Sequence, residues 1–434
     1  MELLYAIIDK DRLVVKLSGQ VHRLLTATAE VDDSYGFESP HPDNQWIFDN
    51  CGIQVFRKCI YFAYGYCVAV FEVIGSKTLN NDYIWTEQIP SDPHEASNAL
   101  LLAKKSYNSR TAPWMDYLGI TRYLSWAAQE LAVRGTNITD TVVQIKNAYI
   151  SSVFRIPTDK GAVYLKITSS VYVNNASMEQ KLTAHFGGIP DFLAVSPDGY
   201  ASITWEMAGH GCQNGNISQY KAWLKSWGEQ QVKTAGENAY KLVDCSPEKL
   251  LSKAADLCQQ VNRIFDITGT PFSKTEQESL NQKLTAVSTS LEHLCQYPLP
   301  NALCHADIRP GNIQILEESD VLYDWGMAFY GHPFYDAIHF LHVVRRQLTD
   351  TQKEEIIDAY LSNWGHYGDT QMLHNAYRKA EECKAYFMLA ADYRWVSDIL
   401  KLWGGIPPMG TIDSWLFEKR IYYFTRGLRR FIAN

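Results

Sequence analysis

Between Leu303 and Ile315 the chain reads LCHADIRPGNIQI. Short apolar runs stand at both ends, and Pro310 and Gly311 force a turn between them. The stretch must therefore fold as a tight bend between two short strands. It crowds His305, Asp307, Arg309 and Asn312 into one loop. A second apolar run, VLYD, follows and ends at Asp324, with the flexible Gly326 just after it.

A chain of 434 residues exceeds one ordinary core and implies two or three domains. Hydrophobic residues at 46% and charged residues at 20% give a globular balance, unlike that of a disordered chain. A formal net charge of −8 argues against a protein that coats nucleic acid. The nine cysteines form no CxxC pair and no metal-ligand spacing, so they read as reduced, mostly buried thiols of a cytoplasmic protein. The N-terminal apolar segments carry charges, unlike a signal peptide. The longest apolar run, CIYFAYGYCVAVF (Cys59–Phe71), is too short to cross a bilayer and reads as a buried strand or a strand pair. No membrane association is expected.

Residues 1–90 are rich in β-branched and aromatic runs broken by Gly, Asp, Asn and Pro, and are expected to form strands. EASNALLLAKKSY (Glu95–Tyr107) and TRYLSWAAQELAVRG (Thr121–Gly135) have helical spacing, the second with Gly135 placed as its stop. TVVQIKNAYISSVFRIP and AVYLKIT read as strands joined by a turn at Thr158–Gly161. SMEQKLTAHF then reads as a helix with a Ser177–Gln180 capping box. Two strands around Pro-Asp-Gly follow. From Ile217 onward the pattern is helical, apart from Leu303–Trp325, which reads loop, strand, turn, strand.

Oxygen-bearing side chains at the ends of neighbouring short strands, as at Asn312 and Asp324, can converge on one hard divalent cation such as Mg²⁺. Asp307, at the apex of the loop, is placed to accept a proton from a hydroxyl.

Three segments in order carry a family resemblance. HADIRPGN resembles an H-x-D-x-x-x-x-N catalytic loop, DWG resembles a DFG-type metal-binding segment, and GHPFYDAIHF resembles the G-x-P-x-x-D segment of the aminoglycoside phosphotransferase group. That group shares the protein-kinase-like fold with choline, homoserine and fructosamine kinases. The resemblance covers residues 136–345 and extends more loosely to the C-terminal helices.

It implies an α+β, bilobal protein-kinase-like fold, with a β-rich small lobe at 116–208 and a helical large lobe at 209–434. A separate mixed α/β N-terminal domain at 1–115 would precede them. That domain is faintly similar to a Nudix-type domain but lacks the Nudix box; substrate coverage, homodimerisation and stability are the roles open to it.

The resemblance also assigns roles. Asp307 would orient or deprotonate the acceptor hydroxyl, and His305 would buttress the loop. Arg309 would neutralise the transferring phosphoryl group or recognise an anionic substrate, a surface salt bridge being the plain alternative. Asn312 and Asp324 would hold Mg²⁺. Lys166 would contact the phosphates of ATP or GTP, paired with Glu179, which as a plain helix charge would need no such role. Ser151 and Ser152 would stand at the phosphate-covering turn, where no GxGxxG occurs. Backbone groups of Glu206 and Met207 would meet the adenine, and Asp336 would hold the catalytic loop.

Ala306 stands where the family has glycine, and Gly326 where it often has an acidic residue. The implied function is transfer of a γ-phosphate to a hydroxyl of a small molecule such as an aminoglycoside, sugar or amino alcohol. A catalytically silent nucleotide-binding module, whose N-terminal domain recruits a partner, is the alternative. Protein kinase activity ranks below both, because no A-P-E-like segment end follows DWG.

Overall fold

The computed structural model describes residues 2–433, apart from 10–11, 19–20, 24–25, 28–40, 64–65, 87–97, 99–108, 117, 149, 172–174, 187–189, 208–209, 213–214, 317–319 and 408–411. The expected helix at Glu95–Tyr107 lies almost wholly outside the described residues. The chain is a mixture of helices and sheets and divides into two compact units. The first holds Met1–Ser177, Asp191–Glu206 and Asp398–Lys419, and the second Met178–Pro190, Met207–Ser397 and Arg420–Asn434.

The first unit has two sheets. The first sheet is built from β1 (Glu2–Asp9), β2 (Arg12–Ser18), β3 (Val21–Arg23), β4 (Thr26–Ala27), β5 (Val55–Ala63), β6 (Tyr66–Val73) and β7 (Tyr83–Thr86). Its main path runs β3-β2-β1-β6-β5, with β1 and β6 parallel. The long apolar run thus folds as the pair β5–β6, since each half is long enough for one strand. Alternation buries both faces. Tyr5, Ile7, Cys67, Ala69 and Phe71 pack with Ile47 of the helix His41–Cys51. Ala6, Ile8, Val68 and Val70 face the other way.

The second sheet is antiparallel, ordered β11-β12-β10-β9-β8. Its strands are β8 (Val143–Ala148), β9 (Ser151–Thr158), β10 (Gly161–Thr168), β11 (Phe192–Val195) and β12 (Ala201–Trp205). The long run from Thr141 to Pro157 divides into β8 and β9. Phe154, Val163, Leu165, Ile167 and Ile203 share one core with Ala6, Ile8, Val68 and Val70. The helix Gly119–Val133 adds Ile120, Tyr123, Ala127 and Leu131.

Polar side chains lace the same seam. Gln144 accepts from the Arg57 backbone N–H at 2.8 Å and donates to its carbonyl at 2.7 Å, and Asn147 donates to that carbonyl as well. Glu72 accepts from the backbone of Ile120 and Thr121, satisfying the start of the helix. Residues on both sides of position 115 therefore share one core.

The helix Gly119–Val133 ends as its sequence predicts. Gly135 is left-handed at φ 62°, and the Gly135 and Thr136 N–H groups donate back to Ala132 and Leu131. The helix Ala176–His185 begins before Ser177, so that serine lies in the first turn rather than at the cap.

The second unit is helical around one core. Its helices Ile217–Lys233, Phe334–Val344, Asp350–Leu361 and Thr370–Glu382 bury Trp223, Leu224, Phe334, Phe340, Tyr360 and Tyr377. Two three-stranded sheets are set into it. One joins β13 (His210–Gly211), β16 (Ile313–Ile315) and β17 (Asp320–Leu322); the other joins β14 (Asp244–Cys245), β15 (Ala302–Cys304) and β18 (Phe329–Gly331). The polar loop of the sequence leaves β15 in one sheet and enters β16 in the other, so both its ends are anchored. The cysteines whose side chains are described are free thiols, and no described helix is long and apolar enough to cross a membrane.

Candidate active site

The loop between β15 and β16 is held from beneath by Asp336, on the first turn of the helix Phe334–Val344. Its Oδ2 accepts from His305 N at 2.8 Å and from the Trp227 indole at 3.1 Å, and its Oδ1 accepts from Ala306 N at 3.0 Å. Gln231 adds a longer contact at 3.3 Å and also donates to the Leu303 and Pro333 carbonyls. Asp336 is fully buried. Burial pushes its carboxyl up to about 7 against the pull of these donors. The loop-holding role expected of Asp336 is thus made of these contacts.

His305 is fully buried, and burial lowers its imidazole to about 4, so it is neutral at pH 7. Its Nε2 lies 3.0 Å from the Tyr323 carbonyl, which makes Nε2 the protonated nitrogen. Nδ1 then accepts from Asp307 N at 3.3 Å. The histidine fastens Asp307's backbone to the β17 end and has no exposed nitrogen with which to carry a proton.

Pro310–Asn312 forms one 3-10 turn. Asn312 Nδ2 donates to the Asp307 carbonyl at 2.8 Å and to Asp307 Oδ2 at 3.0 Å. This fixes the carboxamide so that Oδ1, the metal-type donor, points to its other side. Arg309 Nε stands 3.3 Å from Asp307 Oδ2, with both side chains partly exposed.

β16 and β17 pair in the register Ile313 with Leu322, and Tyr323 N donates to Asn312 O at 3.1 Å. Asp324 is the next residue, so the two metal candidates stand at the same end of this strand pair. Asp324 is itself left-handed, at φ 69° and ψ 58°. Trp325 behind it is buried and stacks on Phe186 with centroids 4.9 Å apart. That packing fixes where the chain turns.

The donor set suits a hard divalent cation: one carboxamide oxygen and one carboxylate, with no thiolate or imidazole required. No group of three His, Cys, Asp or Glu side chains that could form an all-protein metal cage occurs among the described residues. Such a two-ligand set fits Mg²⁺, which keeps waters and phosphate oxygens as its remaining ligands.

The other candidates lie as follows. Lys166 is on β10 in the first unit, opposite Val153 and Ser202, on the face away from the buried Val163, Leu165 and Ile167. Glu179 belongs to the second unit and is buried, on the same helical face as the buried Leu182. Ser151 and Ser152 begin β9 and are buried. The Ser152 hydroxyl accepts from Gln144 at 3.1 Å, so it is tied into the interior. The Glu206 carboxylate takes a bidentate pair with Arg155 at 2.8 and 2.9 Å and a bond from Tyr164, which holds it down to about 2. Glu206 N donates to Ala162 O, so of its backbone only the carbonyl could meet a base. The chain passes from the first unit to the second between Glu206 and Met207.

Sequence reading missed His339. Its Nε2 stands 3.9 Å from Asp307 Oδ1. The signal was available: His339 follows Asp336 by one helical turn, so the two share a face. Trp227 and Gln231, which complete the shell of Asp336, carry no sequence signal.

No curated protein matches the chain. Similar solved structures include a choline/ethanolamine kinase family protein from Mesorhizobium loti, 18% identical, covering 72% of this chain and 100% of that one at a TM-score of 0.42. A choline kinase from Streptococcus pneumoniae is 13% identical, covering 71% and 99% at 0.44. A macrolide 2'-phosphotransferase from Brachybacterium faecium is 14% identical, covering 71% and 98% at 0.46. The model of the phosphotransferase enzyme family matches residues 244–372, the stretch that holds the loop, Asp324 and Asp336.

Proposed function

We propose that the protein is a small-molecule O-kinase that moves the γ-phosphate of ATP, or of GTP, to an acceptor hydroxyl. Residues 116–208 act as the small lobe and 209–434 as the large lobe of a protein-kinase-like fold. The observation that carries the reading is the constrained loop: Asp307 is fixed through Asn312 and His305, and Asn312 is paired through Tyr323 with the strand β17 that leads to Asp324. The family match over the same residues supports it.

In this reading Asp307 accepts a hydrogen bond from the acceptor hydroxyl and takes its proton as the oxygen attacks. Asp336 and His305 keep the carboxylate from turning away. Asn312 and Asp324 hold Mg²⁺, which neutralises phosphate charge when bound. Lys166 contacts the nucleotide phosphates. Arg309 screens charge beside Asp307. Catalysis rests on positioning and charge neutralisation.

The test is thermal stability with and without MgATP. A ligand that binds only the native state raises the melting temperature by mass action. Wild type should show a Mg²⁺-dependent rise that Asp324→Asn loses, while Asp307→Asn keeps the rise and loses phosphoryl transfer by about 10³-fold or more. No rise with millimolar MgATP or MgGTP would sink the reading.

A further inference from the structure

Around Asp307 the second unit gathers basic side chains: Arg309 at Oδ2, the oxygen that Asn312 also reaches, and His339 at Oδ1. Arg309 touches Asp307 through Nε only, and its terminal nitrogens have no partner among the described residues. His339 flanks the other carboxylate oxygen, and its Nδ1 is buried without a hydrogen-bond partner. His339 stacks on Tyr335 at 6.1 Å, and Tyr335 meets Phe387 edge-on at 5.2 Å. This packing brings the first turn of the helix Lys384–Trp403 beside His339.

Lys384 opens that turn, half-buried, with no ion-pair partner among the described residues. Burial lowers its ammonium to about 8, and its charge in turn disfavours protonation of His339 and His342. Arg345 adds positive charge to the same neighbourhood. The acids nearby are Asp307, already engaged, and the exposed Glu381. A half-buried lysine with no ion-pair partner is costly unless an anion completes it. A cationic acceptor would meet this positive charge with only the engaged Asp307 and the exposed Glu381 to balance it. The Tyr335 ring is buried between His339 and Phe387, so it offers no open face to a quaternary ammonium.

We infer that the acceptor is a hydroxyl compound bearing an anionic oxygen group, a carboxylate or a phosphate monoester, which Arg309 and Lys384 grip while the hydroxyl faces Asp307. This rests on the kinase reading and names its substrate class.

The experiment is ADP release at saturating MgATP with four acceptor sets: hydroxy acids (glycerate, gluconate), phosphate monoesters (glycerol 3-phosphate, glucose 6-phosphate), neutral polyols (glycerol, glucose) and cations (choline, ethanolamine, spectinomycin). Turnover is expected from one of the two anionic sets, and which set responds identifies the group. Lys384→Met should raise KM for the responding anion about tenfold or more, the weight of one charge-assisted hydrogen bond, and Lys384→Arg should restore much of it. The Met variant removes a charge that burial disfavours, so its fold should persist, and its melting temperature checks this.

Turnover confined to neutral or cationic acceptors, silence from both anionic sets, or an unchanged KM in Lys384→Met would each overturn the inference. The kinase reading fails separately, on the absence of any MgATP- or MgGTP-dependent thermal shift.

Discussion

Ala306 holds a left-handed backbone, φ 71°, although it carries a Cβ. The strain is imposed, because its N–H must point at Asp336 Oδ1 while the next residue presents Asp307. Ala306→Gly should relieve it and raise stability by about 1 kcal/mol, net of the added unfolded-state entropy, measurable as a higher urea midpoint. A lower midpoint would show that the backbone there is unstrained. Asp336 is the second residue on which the loop depends. In Asp336→Asn one oxygen becomes an NH₂, which cannot accept from both His305 and Ala306. One backbone N–H is left buried and unpaired, at a cost of about 2 kcal/mol in chemical denaturation. Phosphoryl transfer should fall with it as Asp307 loses its fixed direction. Asp307 itself was legible from the motif. Its immobility was not, because Trp227, Gln231 and Asp336 meet only in the folded chain.

At the scale of elements, β10 separates packing from chemistry by alternation alone. Leu165 is fully buried in the core of the first unit, and Leu165→Ala should cost about 3 kcal/mol as transfer and cavity terms add. Lys166, one residue on, faces the other side. Lys166→Met should cost less stability than Leu165→Ala yet abolish the MgATP-dependent thermal shift. Equal loss of stability in the two variants would refute this division. The strand was readable from its period-2 pattern, as was the end of the helix Gly119–Val133 from Gly135. The division of the run Thr141–Pro157 into β8 and β9 was suggested only by the family resemblance, which set a turn at Ser151 and Ser152, because its apolar and polar residues continue across the turn without a Gly or Pro to mark it.

For the whole molecule, three buried imidazoles set the acid side of stability. Burial lowers His305 to about 4, His332 to about 3 and His339 to about 4, against about 6.5 when unfolded. Between pH 4 and 6.5 the unfolded chain binds these three protons and the native chain does not, so stability rises with pH. Asp336 opposes them: raised to about 7, it keeps its proton in the native state where the unfolded carboxyl has lost it. Three less one leaves roughly two protons taken up on unfolding near pH 5, a slope of about 2.7 kcal/mol per pH unit. The melting temperature should therefore fall steadily from pH 6.5 to 5, and calorimetry in two buffers of different ionisation enthalpy should count the protons. A flat profile would mean that these histidines are exposed.

The sequence by itself determined the loop, the strand pair that follows it and the candidate ligands on them, because those residues lie within one short stretch and a turn of fixed geometry relates them. Only tertiary structure decided the rest. Asp413, near the C-terminal end, accepts from Ser109, the Arg110 backbone, Thr111 and Trp403, and the first sheet shares its core with the second. Local spacing encodes neither, since burial and hydrogen-bond satisfaction between distant segments are settled only when the chain has closed on itself.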